Sequence, residues 1–325
     1  MTEVFNPANF LILGFDGLEP SNKFLNLIQN SPPAGFLLLG HNFHDLEQLR
    51  SLVAGLKSAC SERTILAVDQ EPGRVQRLKG TFPLSRKPSY YIKQGGLTEF
   101  RAWCGATADM MAMAGLNMNL APVVDLNIIA GKNSVLRDRA FGDNPGRVSE
   151  FGEVLIEEFK SRGVTTCAKH FPGLGGGSGD PHQVLTRSDE TLERFLDFHW
   201  RPFRAAIESN VVCVMTTHML APAIDPENCA TFSSNAVSHL RNTLGHRGPI
   251  ISDDLCMSGA RTGYTIGEAA EKSLCAGHNL LIISKNIDLQ IQAIDSIRRR
   301  CAVDPNFMKL AIENEKALET FKNAL

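Results

Sequence analysis

Eight short apolar runs, each bounded by turn residues, recur along the chain: Phe10–Phe15, Gly35–Leu39, Ile65–Asp69, Met118–Asp125, Thr165–Phe171, Val211–His218, Pro249–Asp253 and Asn279–Ser284. They are continuous rather than alternating, which is the pattern of strands buried on both faces of a parallel sheet. Segments of helical period separate them at Leu46–Lys57, Thr98–Ala114, Val148–Arg162, Glu190–Ala206, Ile266–Ala276 and Leu289–Arg300. Repeated βα alternation admits few architectures. A (β/α)8 barrel commonly needs about 250 residues and tolerates insertions, so 325 residues can hold one. Pro and Gly fall at strand ends and no low-complexity stretch marks a linker. The pattern predicts an α/β fold with one domain over residues 1–325, a single (β/α)8 TIM-like barrel closed by C-terminal helices from about Asp288 onward. A doubly wound open sheet is the alternative, and eight runs favour the barrel.

Ionisable residues collect at the C-terminal ends of successive runs. Asp69 ends the third, Asp125 the fourth, Lys169 and His170 the fifth, His218 the sixth and Asp253 the seventh. A single Asp after a strand is usually a turn former or helix cap. Several in register mark the face where a barrel builds its active site. Asp253 and Asp254 are adjacent, so on extended chain their side chains point to opposite faces and at most one faces the barrel mouth. Asp253 continues the apolar strand and is the better carboxylate to aim at a pocket, with Asp254 structural or a cap of the next helix.

The segment Gly173-Leu174-Gly175-Gly176-Gly177-Ser178-Gly179 contains five glycines in seven residues, which predicts a loop costly to order and able to move. It fits neither the dinucleotide nor the P-loop phosphate motif. Asp180 and His182 follow it at i and i+2, where a carboxylate can set an imidazole tautomer and favour its protonated form. A second cluster, Asp69-Gln70-Glu71-Pro72-Gly73-Arg74-Val75-Gln76-Arg77, and the stretch Arg137-Asp138-Arg139 supply guanidinium forks and carboxylates suited to neighbouring hydroxyls of a sugar. Surface ion pairing is the alternative for Arg74 and Arg137.

Lys plus Arg number 33 against 35 Asp plus Glu, with no concentrated basic stretch for nucleic acid or anionic lipid. The first residues lack a basic signal-type region, and Phe10–Phe15 is too short for a signal core or a membrane span. The eight cysteines at 60, 104, 167, 213, 229, 256, 275 and 301 form no C-x-x-C pair and read as reduced core thiols. A cytoplasmic protein follows, with a small neutral substrate as partner, no nucleic acid, no membrane and an open oligomeric state.

Taken together, Gly14-Phe15-Asp16-Gly17, Asp69-Gln70-Glu71, Asn119-Leu120-Ala121-Pro122-Val123-Val124-Asp125, Asp138-Arg139-Ala140-Phe141-Gly142, Lys169-His170-Phe171-Pro172-Gly173, Asp180-Pro181-His182, Ala230-Thr231-Phe232-Ser233 and Ser252-Asp253-Asp254-Leu255 resemble glycoside hydrolase family 3, in its NagZ-like β-N-acetylhexosaminidase group, over nearly the full length. The resemblance implies a retaining exo-β-N-acetylglucosaminidase that trims peptidoglycan-derived fragments, with a small carbohydrate or muropeptide substrate and no cofactor or metal. It implies Asp253 as nucleophile, His182 as general acid/base, Asp180 as its orienting partner, and Asp69, Arg77, Arg139, Lys169 and His170 as sugar-binding residues. Larger relatives that cleave glucosides take their acid from a second domain. The length of this chain leads us to expect the acid from the barrel itself, through Asp180 and His182. Leu174, Pro72 and Pro181 depart from the group's usual histidine, glycine and serine. Two other chemistries stay open: a metal-dependent hydrolase using His170, His182, His218, Asp180 and Asp253, although no H-x-H or H-E-x-x-H spacing occurs, and phosphorolysis in place of hydrolysis.

Overall fold

In a computed structural model, the described residues are 5–78, 82–128, 136–178 and 184–323. Ten strands occur among them: β1 (Leu11–Leu13), β2 (Gly35–Leu38), β3 (Ile65–Val68), β4 (Met118–Asn119), β5 (Thr165–Phe171), β6 (Thr186–Arg187), β7 (Cys213–Thr216), β8 (Met219–Leu220), β9 (Ile250–Ser252) and β10 (Leu281–Ile283). Eight of them form one parallel sheet in the order β10-β1-β2-β3-β4-β5-β7-β9. Ile251 then pairs with Leu280 in parallel, and Ser252 N–H donates to Leu280 O at 2.9 Å, so the two ends of the sheet meet. The fold is the TIM-like barrel that the eight runs predict. Its register runs from Leu11↔Leu281 through Phe36↔Leu66 and Met118↔Thr165 to Met215↔Ile251, with one shift in the β5–β7 pairing between Ala168 and Phe171. The short pair β6 and β8 forms a separate two-stranded sheet, and for that reason β5 neighbours β7 in the barrel.

Every residue of β1, β2, β3, β7, β9 and β10 is buried, as a barrel packed inside and covered outside requires. The covering helices start where the sequence places caps. Asp45 accepts from Gln48 N–H at the head of Leu46–Ala59, and Thr265 with Glu268 forms a capping box for Ile266–Ala276. The predicted helix over Glu190–Ala206 is instead broken. A wide turn, Phe195–His199, closes with Trp200 N–H on Phe195 O, and the regular helix is Arg201–Glu208, since Pro202 is suited only to a first helical turn. The nine-residue helix Asn22–Asn30, which is not among the predicted helical segments, joins β1 to β2 and buries Phe24 and Ile28. Past β10, the helices Ile287–Val303 and Pro305–Lys322 complete the described chain.

The cysteine expectation holds for half of the thiols. All eight are unpaired, but only Cys104, Cys167, Cys213 and Cys229 are buried, while Cys275 is exposed and the other three are half-buried.

Candidate active site

Asp69, Arg77, Arg139, Lys169, His170 and Asp253 line one cavity of about 310 Å³ at the C-terminal end of the barrel. These six come from four separate stretches of chain. Asp180 and His182 lie outside the described residues. Arg74 lines the same cavity, whereas Arg137 is exposed and does not.

One side of the mouth is an ionic lattice. Glu71, fully buried, accepts from Arg139 Nε at 2.7 Å and Nη2 at 2.8 Å, and its Oε1 lies 2.8 Å from Lys169 Nζ. Lys169, also buried, donates to Asp69 Oδ1 at 2.7 Å, and Asp69 Oδ2 is 3.7 Å from Arg77 Nη2. Burial by itself would raise the Glu71 pKa, but the charges of Arg139 and Lys169 outweigh it and hold the carboxyl well below the usual range. Burial likewise lowers the Lys169 pKa, and Asp69 and Glu71 reverse that shift. Glu71 and Lys169 are thereby both held in their ionised forms. Alanine at Lys169 would therefore leave two carboxylates short of a cation.

Asp125 organises the next element. Its Oδ2 accepts from His170 N–H at 3.0 Å and lies 2.6 Å from His170 Nδ1, and its Oδ1 accepts from Leu174 N–H at 2.7 Å. His170 Nε2 stands 3.3 Å from Arg139 Nη2, which can only donate. A neutral His170 thus carries its proton on Nδ1 and presents the Nε2 lone pair to Arg139. The peptide between Lys169 and His170 is cis.

The glycine-rich segment is tighter than its composition suggests. A Cβ on Gly175 would stand 1.6 Å from Leu126 O, so that residue is glycine because backbone approaches backbone there. Gly173 has φ of 124°, a conformation that side chains resist. Leu174, where the resemblance leads one to expect histidine, is buried in a small apolar cluster with Val123, Leu136 and Ala140. Through Ser178 at least, the glycines serve close packing, which corrects the reading of this part of the loop as loose.

The opposite side of the mouth carries few charges. Asp253 follows β9; its Oδ1 accepts from Asp254 N–H at 2.8 Å, and its Oδ2 has no hydrogen bond among the described residues. Burial raises its pKa, but His218, His170, the Asp254 N–H and Lys169 together bring it below the usual value, which keeps it ionised at neutral pH. Asp254 has both oxygens engaged: Oδ1 accepts from Cys256 N–H at 3.0 Å and Ser284 N–H at 3.2 Å, and Oδ2 accepts from the Ser284 hydroxyl. Both carboxylates nonetheless line the cavity, contrary to the expectation that at most one could. The alternation of an extended chain stops at Ser252, where β9 ends, so hydrogen bonding and not facing divides their roles.

His218, buried behind them, has Nδ1 at 2.8 Å from Thr231 Oγ1 and Nε2 at 3.0 Å from Asp254 O. With both ring nitrogens of His170 and of His218 engaged by protein groups, neither is presented as a metal ligand. Among the described residues no three His, Cys, Asp or Glu side chains are grouped to hold an ion.

The glycosyl hydrolase family 3 N-terminal domain model matches residues 10–304. The chain belongs to glycoside hydrolase family 3. As a family 3 member it is a glycosidase. It is 34% identical over 280 residues to a beta-hexosaminidase of Nitrosomonas eutropha, covering 83% of this chain and 80% of that protein. A beta-hexosaminidase of Photobacterium profundum is 31% identical over 291 residues, 88% of this chain and 85% of the relative. Among solved structures, a family 3 β-N-acetylglucosaminidase from Paenibacillus sp. superposes with a TM-score of 0.90 at 28% identity; the match covers 98% of this chain and 62% of that one. NagZ from Neisseria gonorrhoeae superposes with a TM-score of 0.78 at 28% identity, over 89% of this chain and 84% of its own.

Three functional side chains escaped the sequence reading. Glu71 was visible only as part of a motif, Asp125 only as a strand-end acid, and Asp254 only as the lesser of two neighbours. The partners of Glu71 lie 68 and 98 residues away, a distance at which spacing carries no signal.

Proposed function

We propose that this family 3 enzyme is a retaining exo-β-N-acetylglucosaminidase that removes terminal N-acetylglucosamine from peptidoglycan-derived fragments in the cytoplasm. The observation that carries the proposal is Asp253, an ionised carboxylate with one oxygen free of hydrogen bonds among the described residues, at a strand end in a cavity of about 310 Å³ whose opposite wall is an array of paired cations and carboxylates. An anion so placed can attack an anomeric carbon.

In the double displacement we assign, Asp253 Oδ2 forms an ester bond to C1 while the bond from C1 to the leaving-group oxygen breaks. His182, oriented by Asp180, gives that oxygen its proton. The same imidazole then takes a proton from the water that hydrolyses the ester, restoring Asp253 and the β configuration. Lys169 has one ammonium proton beyond those directed at Asp69 and Glu71, and Arg139 Nη1 has no partner among the described residues. With Asp69, Arg77 and His170 they are our assignment for holding the sugar hydroxyls. The named β-hexosaminidase relatives support the N-acetylated sugar, and the NagZ-like motif set supports peptidoglycan-derived fragments. Eight unpaired thiols suit a reducing compartment.

The deciding measurement follows an aryl N-acetyl-β-glucosaminide beside the matching glucoside. Preference for the first is expected, and equal rates would overturn the substrate assignment. A mechanism-based fluorosugar should esterify Asp253, and a label on any other residue would refute the nucleophile. Running the reaction with and without phosphate identifies the acceptor, a sugar phosphate product being the sign of phosphorolysis.

A further inference from the structure

The opposite end of the barrel holds a larger cavity, about 500 Å³, between the starts of β7, β9 and β10 and the last helix, Pro305–Lys322. Pro249 lines this cavity and Asp253 the other, so the length of β9 separates them. Its chemistry differs sharply from the sugar face. Arg241 and Arg247 line it, and among the described residues no aspartate or glutamate does.

Arg241 is half-buried, and it donates only to neutral acceptors: His246 O at 3.1 Å, Gly248 O at 2.5 Å and Asn279 Oδ1 at 3.0 Å. Of its five N–H groups, the one on Nε and one on Nη2 remain unspent among the described residues. Arg247 is exposed and makes no hydrogen bond or ion pair among the described residues. Burial lowers the Arg241 pKa and the Arg247 charge lowers it further, offset in part by Cys213 and by no carboxylate among the described residues. The buried His246 cannot add or balance charge at neutral pH, because desolvation pushes it down to about 4. Buried cations ordinarily carry a partner. Lys169 and Arg139 both obey that rule at the other end of the same barrel, with carboxylate oxygens within 2.8 Å. Behind the two arginines the wall is apolar, with Val211, Leu318 and Phe321.

We propose that this cavity binds an organic oxyanion, a compact apolar or aromatic body bearing a phosphate or carboxylate, with Arg241 and Arg247 on the oxyanion and Phe321 and Leu318 against the body. The two unspent donors of Arg241 match two oxygens of such a group, and Arg247 supplies the second positive charge. The three bonds that Arg241 makes to the chain hold the fork in place before the ligand arrives.

Phenyl phosphate is the probe, with benzoate as the carboxylate arm and phenol and inorganic phosphate as controls, titrated into the full chain by calorimetry. Binding of phenyl phosphate or benzoate is expected, with phenol silent and inorganic phosphate at least about tenfold weaker. Arg247→Ala should weaken binding by about tenfold or more. Thr320→Glu, a substitution at an exposed position on the cavity wall, should abolish it, and both variants should keep full glycosidase activity. No binding by wild type, binding that survives both substitutions, or binding lost instead in Arg77→Ala would overturn the site. Equal affinity for inorganic and phenyl phosphate would overturn the role of the apolar wall.

Discussion

The two sides of the barrel mouth are built on opposite principles. On the β3 to β5 side, Asp69, Glu71 and Asp125 face Lys169, Arg139 and His170 at 2.6–2.8 Å, and nearly every polar atom has a protein partner. On the β7 to β10 side, Asp254 is fully bonded while Asp253 keeps one oxygen free among the described residues. The first arrangement suits holding a ligand in one orientation, because its charges cannot relax. The second suits chemistry, because an under-bonded carboxylate has a lone pair to give. Stability and reactivity are thus assigned to different strands of the same sheet.

Asp253→Ala tests the reactive side most severely. Activity on the aryl N-acetyl-β-glucosaminide should fall by about 10⁴-fold or more, while the thermal midpoint stays near wild type. A large loss of stability instead would move Asp253 into the structural class and erase the contrast.

The next effect concerns the proton, which we assign to His182 and Asp180. General acid catalysis is typically worth about 10²–10⁴-fold, so His182→Ala should lose that much on a poor leaving group and far less on a nitrophenolate. Asp180→Asn should reproduce part of the loss and shift the alkaline limb of the pH profile downward, since removing the carboxylate disfavours imidazolium. A double variant much worse than His182→Ala would separate the two residues.

On the holding side, Glu71→Gln should destabilise the fold by about 3–5 kcal/mol, because Arg139 loses its buried counter-charge. The pH dependence has a definite sign. The Glu71 pKa is lowered in the folded state, so its contribution is present above the ordinary carboxylate value of about 4.5 and is lost as pH falls below it. Denaturant midpoints of wild type and variant should converge toward acid, and a gap that widens there would contradict the charge lattice. The smallest effect belongs to Asp254→Ala, which frees Ser284 and Cys256 from their acceptor. A cost of about 1–3 kcal/mol is expected, with hydrolysis slowed only as far as Asp253 is displaced.

Much of this contrast was legible in the residues and some was not. The eight barrel strands fall within the eight apolar runs, because burial on both faces writes itself as uninterrupted hydrophobicity. The gathering of Asp69, Lys169, His170 and Asp253 followed from their strand-end positions, since parallel strands deliver all such ends to one face. The broken helix around Phe195–His199 was missed because its apolar period continues across the break. The glycine-rich segment was misread up to Ser178 because composition cannot distinguish a glycine that moves from one pressed against Leu126 O.

The sequence by itself determined the fold, the family and the identity of the strand-end acids, all of which are local or periodic signals. Only the tertiary structure decided which charges pair. Glu71 with Arg139, Asp125 with His170, Asp254 with Ser284, and Arg241 with no carboxylate among the described residues depend on distances across the barrel between residues tens of positions apart. An ion pair's strength varies with separation and burial, and neither quantity exists along a chain until the sheet closes.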